Sequence, residues 1–398
     1  ISIKQDTLSS LIGQKNVEDL RVNHILSTNF INKTSRKDSF VNYQEISGID
    51  ISLGENMVVY NDTLLTNYEY LEDDYFNNTI NLYSFDGNEW TFDSSNNIKD
   101  FVGNSTTSSL KASYSIDSNF IAIGNNVYAI QSGKIGNVTI YTGNRFSDPS
   151  QDISGSIVGD QFGKYVSLSN NKIAIGSNTK IFIYDYSGTS WTETDISYNV
   201  SDYDLLSLNH NILSYIDTSS NVYIHDISSN IDISLNVNAS SLVSNKDGTI
   251  MAYSDISSSK VYVIRSPNWN NVSTETFDAP NAKIALSDDG QILSFSSNGV
   301  LKIYQKISSF WSSIMNELDE DKNSSSVKIS NDSKYIFLGY SNNVQVYSIY
   351  PLIDNFIDEV DDLKIKVHDL SLNIRDTINS FNDLSLNANN SIKDIDDR

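Results

Sequence analysis

One short phrase recurs seven times between residues 51 and 350: an apolar run, a tight polar turn, then a second apolar run. Ile121-Ala122-Ile123-Gly124 and Ile173-Ala174-Ile175-Gly176 are its clearest copies. Val58-Val59-Tyr60, Ile212-Leu213-Ser214-Tyr215, Ile250-Met251-Ala252-Tyr253, Ile292-Leu293-Ser294-Phe295 and Ile336-Phe337-Leu338-Gly339 read as the others. The landmarks lie roughly 63, 52, 39, 38, 42 and 44 residues apart, a period that belongs to stacked or radial repeats. The runs are short and bounded by Asn, Asp, Ser and Gly, as short antiparallel strands require. The prediction is a mainly β chain whose core is a seven-bladed β-propeller over residues 47–350.

The strands within a blade are readable too. In the third blade Tyr165-Val166-Ser167-Leu168 leads through Ser169-Asn170-Asn171-Lys172 to Ile173-Ala174-Ile175. Lys180 to Tyr184 is a third strand, and Gly188 to Trp191 leads into a fourth. Asp247-Gly248 and Asp289-Gly290 are turn dipeptides that supply the positive φ of tight hairpins. The seventh blade stops at Tyr350-Pro351 without a fourth strand. A strand from residues 1–50 is expected to complete it and so remove an exposed edge. The N-terminal segment 1–46 has no clean periodicity and is read as that closing strand, an anchor, or both.

From Pro351 the period becomes seven, predicting an α-helical coiled-coil stalk over 351–398. The seam places Ile353, Val360, Val367, Ile374, Phe381 and Ile395 at one position. Phe356, Leu363, Leu370 and Leu384 fall at the other. A helix of this length with an apolar stripe needs a partner. The expectation is a homo-oligomer: a trimer, because Ile357, Ile378 and Ile392 widen the seam, with a dimer as the alternative.

Chemistry is constrained mainly by exclusion. A formal net charge of −23 opposes binding to nucleic acid and to anionic membrane surfaces. No apolar run approaches the roughly 18 residues of a membrane span. The absence of Cys removes thiolate metal sites and Cys nucleophiles. His24, His210, His225 and His368 fall on separate elements, so no catalytic or zinc cluster is expected. Glu72-Asp73-Asp74 offers the hard oxygen donors that calcium takes, but a solvated loop is the favoured reading. No cofactor is expected otherwise. The opening Ile1-Ser2-Ile3-Lys4 suggests a processed or excised chain.

Residues 136–176 carry Gly136-Asn137-Val138-Thr139-Ile140-Tyr141, then Asp152-Ile153-Ser154-Gly155. Gly159-Asp160-Gln161-Phe162-Gly163-Lys164-Tyr165 and Ile173-Ala174-Ile175-Gly176 follow. This stretch resembles the FG-GAP class of propeller repeat, in the form found in surface and secreted proteins of marine microbes and large DNA viruses. The likeness covers about one and a half blades. It implies that Gly159, Asp160, Phe162 and Gly163 shape a blade-connecting turn. The integrin branch of that class binds calcium through an Asp-x-Asp-x-Asp-Gly loop; no blade keeps it, so no metal is carried over. A propeller followed by a Ser-, Asn- and Asp-rich coiled coil further resembles viral fibre proteins. The implied function is a non-enzymatic fibre or attachment protein at the virion surface. Its expected partners are a capsid or other virion protein and a host-surface glycan or protein. The alternatives are an extracellular or cell-surface adhesin of a marine microbe, and a glycan-processing enzyme, which would need carboxylates converging at the propeller mouth.

Overall fold

The computed structural model describes residues 42–396 apart from 48–55, 73–74, 95–97, 106–112, 126–134, 144–145, 147–148, 201–202, 268, 270–274, 308–309, 315–317 and 320–322. It divides into a β unit ending at Ile349 and a helical unit beginning at Tyr350.

The β unit holds seven antiparallel sheets, each built on a path of four strands. Their innermost strands are Met57–Tyr60, Ser113–Ile116, Tyr165–Ser169, Tyr203–Asn209, Ala239–Ser244, Lys283–Leu286 and Ser326–Ile329. Each packs against the next, and the last packs against the first, so the ring closes. The chain is a seven-bladed β-propeller.

Burial explains why the second strand of each blade is its clearest signature. Phe120–Asn125 and Ile250–Asp255 are buried at every position. Neighbouring blades cover both faces, so the apolar run is continuous rather than alternating. Apolar clusters fill the gaps between successive blades. Phe120, Ile140 and Ile153 of the second blade meet Val166, Ile175 and Trp191 of the third. Ile181 and Ile183 of the third meet Leu213 and Tyr215 of the fourth. No sheet has a core of its own; each is stable because its neighbours cover it.

The first landmark is corrected by one strand. Val58-Val59-Tyr60 lies on the innermost strand, and the counterpart of Ile121-Ala122-Ile123 is Leu64-Leu65 on Thr63–Glu72. That strand has lost the Ile-Ala-Ile-Gly signature, and the neighbouring Val58-Val59-Tyr60 is the more regular apolar run.

The strand Asn42–Ser47 is the outermost strand of the seventh blade. It pairs antiparallel with Asn343–Ser348, placing Ile46 opposite Val344 and Gln44 opposite Val346. The strand falls almost entirely within segment 1–46, where a closing strand is one of the two expectations. Ile46 is buried with Met57, Leu64 and Trp90 of the first blade and Phe337 of the seventh.

The helical unit is one helix, Tyr350–Asp396. Among the described residues no helix is long and apolar enough to cross a membrane.

Candidate functional site

Three places in the molecule concentrate chemistry or contacts: the blade-to-blade connections, the central channel and the helix.

Gly159, Asp160, Phe162 and Gly163 lie in the connection between the second and third blades, after Gln151–Ser154 and before Tyr165–Ser169. Phe162 is buried and meets the Phe182 ring with centroids 5.4 Å apart. Asp160 is also buried; its Oδ1 accepts a hydrogen bond from Thr179 Oγ1 at 2.9 Å, and its carbonyl accepts from Asn178 N. Gly163 has φ +86° and touches the second blade so closely that a Cβ there would lie 2.7 Å from the Asn137 carbonyl oxygen. Only glycine satisfies both conditions. Asp160, Phe162 and Gly163 form one packed connection, with the Asp160 polar groups committed inside the protein, while Gly159 is exposed at φ +82°.

A second connecting device escaped the sequence reading. Gln151 on the outer strand of the second blade clasps the backbone of Trp191 in the third. Its Nε2 donates to the Trp191 carbonyl at 3.0 Å, and its Oε1 accepts from Trp191 N at 2.8 Å. Gln44 of the closing strand clasps Trp90 of the first blade in the same way, at 2.7 Å for both bonds. Phe120 meets Trp191 edge-on, as Phe337 meets Trp90. The closing strand is thus a true counterpart of an ordinary outer strand. The available signal was the spacing aromatic-x-Gly-x-x-Trp, present as Phe85 to Trp90 and Tyr186 to Trp191.

The innermost strands enclose a central channel of about 660 Å³. Serines lace its wall. Ser113 and Ser115 Oγ accept from Val166 N and Leu168 N at 2.8 and 2.9 Å, capping edge amides of the next blade. Ser167 and Ser169 do the same for Leu208 N and His210 N. The lining includes Asp117, Asp288, Lys164, Lys246 and Lys328. Burial raises the Asp117 carboxyl above its ordinary range, opposed by hydrogen bonds from Asn119 N and Phe120 N and by the charge of Lys246. Burial likewise raises Asp288, opposed by Asn331 and Lys246. Both carboxylates answer to one ammonium, and Lys246 also sits 5.6 Å from the centre of the Tyr60 ring. Acidic groups do therefore line the channel, each already held by protein donors.

His225 is buried, with Nδ1 2.5 Å from Asp232 Oδ1 and its ring 4.2 Å from that of Tyr198. His210 occupies the hairpin turn after Tyr203–Asn209, and His368 is exposed on the helix. His24 and Asp73-Asp74 lie outside the described residues, so the calcium reading of Glu72-Asp73-Asp74 is untouched. Among the described residues no group of three or more His, Asp or Glu is arranged to hold a metal.

On the helix, Val367, Leu370, Ile374, Phe381 and Leu384 are all exposed, Phe381 by 65% and Leu384 by 68%. Ile353, Phe356, Val360, Leu363 and Ile395 are helical, but their side chains lie outside the described set.

No family model matches the chain, and no curated protein does. Solved structures do. A chain in the crystal structure of the mitotic checkpoint complex superposes with a TM-score of 0.54 at 13% identity, covering 77% of this chain and 95% of that one. The β-propeller domain of Cps50 (Swd1) from Myceliophteria thermophila gives 0.52 at 11% identity, covering 78% and 99%. At this identity the likeness is one of architecture: the chain shares the propeller fold with these proteins.

Proposed function

We propose that the protein is a non-enzymatic display protein, an FG-GAP-type propeller head carried by a homo-oligomeric coiled-coil stalk, serving as a fibre or attachment component at a virion surface. The observation that carries this reading is the exposed apolar stripe from Val367 to Leu384. Side chains of that size leave water only if another helix covers them, and the heptad spacing makes a second copy of the same helix the natural cover. Parallel assembly gathers the heads, and individually weak contacts then gain through effective concentration. The committed polar groups of the blade connections fit a structural role, as does the scattering of His residues.

The carboxylates of the channel give the glycan-processing alternative its one foothold. Asp117 and Asp288 share Lys246, however, and Asp117 Oδ1 is spent on capping Asn119 N and Phe120 N. We therefore favour display over catalysis. Immunogold labelling of purified virus particles with antibody to the head tests the virion assignment. Labelled projections are expected. Antigen found only on microbial cell surfaces would instead establish the adhesin, and glycoside turnover abolished by Asp117→Asn would establish the enzyme.

A further inference from the structure

Lys328 is the unexplained group of the channel. It sits at the middle of Ser326–Ile329, half-buried, opposite Phe337 in its own sheet, and it lines the cavity. The other two lysines of the lining are occupied: Lys246 faces Asp288 and Tyr60, and Lys164 lies over the rings of Tyr165 and Tyr203. Among the described residues the Lys328 ammonium has neither an ion pair nor a hydrogen bond. Enclosure by the wall pushes its ammonium below the ordinary lysine value, the direction expected of a cation with no counter-charge. An uncompensated ammonium in such a place is costly, and proteins keep one where something pairs with it.

The surrounding wall offers donors. Ser113 and Ser115 accept from backbone amides, which leaves each hydroxyl proton free to donate. Ser207 and Ser244 accept from Asn209 Nδ2 in the same manner. All four line the same cavity as Lys328.

We propose that the central channel is a binding site for one small oxyanion, a free phosphate, sulfate or carboxylate, held by the Lys328 ammonium and the channel serines. The volume admits such an ion with part of its water shell. The strongly negative chain as a whole disfavours polyanions, so the ligand class is small and of low charge.

The test is isothermal titration of the full chain with inorganic phosphate, repeated with sulfate and acetate, at constant ionic strength set by sodium chloride. One saturable site per chain is expected for phosphate, with Lys328→Met weakening it at least tenfold. Lys328→Met is expected to fold, because methionine fills the same space without a charge; Lys328→Gln serves if it does not. Lys246→Met is a control that removes a neighbouring charge and is expected to cost less affinity than Lys328→Met. A thermal shift that grows linearly with each salt and is equal in wild type and Lys328→Met is exclusion of the salt from the whole surface. That result, no saturable heat with any of the three anions, or equal binding by the variant overturns the proposal.

Discussion

The propeller and the helix solve the same problem in opposite ways. Each blade is a small sheet with two apolar faces, and the ring covers every one of them from within a single chain. The helix carries an apolar seam whose described side chains are exposed, as are Ile365 and Leu386 off that seam. In the ring, Ile175 and Ile123 are fully buried by neighbouring blades, and edge amides of the innermost strands of the third and fourth blades are capped by serines. In the helix, Leu370 and Ile374 are exposed. A region that covers its own apolar faces needs no partner for them, whereas the exposed stripe is the basis of the proposed assembly.

The comparison breaks most dramatically if the ring is opened. Removing residues 1–47 deletes the strand that covers Asn343–Ser348 and takes Ile46 and Gln44 with it. Loss of a single cooperative unfolding transition for the head is expected, followed by calorimetry and far-ultraviolet circular dichroism. A truncated head that melts like the intact one would show that the seventh blade closes without it.

That closure was legible only in outline. The missing fourth strand was visible because the other third strands, such as Val222 to His225, repeat so regularly. Which residues supplied it was not, since Asn42–Ser47 is a short outer strand whose alternation is broken by a bulge. The first blade was misread by one strand for a related reason: burial on both faces leaves a run of apolar residues, and two such runs lie side by side at Met57–Tyr60 and Thr63–Glu72. The repeat-motif residues Gly159 to Gly163 are singled out by the likeness to FG-GAP repeats, and the close approach that requires glycine at 163 emerges only from the packed blades. The channel was not, because Lys328 carries no local pattern; its position only matters once seven inner strands surround it.

Within the ring, Gly163→Ala forces a Cβ against the Asn137 carbonyl and strains a left-handed φ. A cost of about 3 kcal/mol is expected by denaturant unfolding. A loss below about 1 kcal/mol would mean that the connection between the second and third blades is soft.

Gln44→Ala leaves the amide and carbonyl of Trp90 without their partner. The expected loss is about 1–3 kcal/mol. Gln151→Ala, which frees Trp191, should match it. Equal values support equivalence of the closing strand with an ordinary outer strand; a negligible effect at Gln44 alone would refute it.

A smaller effect separates ring from helix by pH. Burial alone would raise the Glu275 carboxyl, but hydrogen bonds from Lys306 and Trp311 and the charge of Arg265 outweigh it, so its pKa lies below the ordinary value of 4.5. Lys306 and Trp311 belong to the sixth blade, while Arg265 belongs to the fifth. Because the folded pKa is depressed, this stabilisation is present above the unfolded pKa and is lost as pH falls through the folded one. Thermal unfolding of the head is expected to weaken below about pH 4.5, with Glu275→Gln showing a shallower decline. Parallel declines would remove Glu275 from the account.

The central claim is that the uncovered helix specifies an oligomer of covered rings. Sedimentation equilibrium of the full chain at micromolar concentration tests it directly, with Leu370→Asp, Leu384→Asp as the comparison. The account predicts a trimer for the wild type, and monomers with an unchanged head melting temperature for the double variant. A wild-type dimer would correct the number of strands, and a wild-type monomer would contradict the claim.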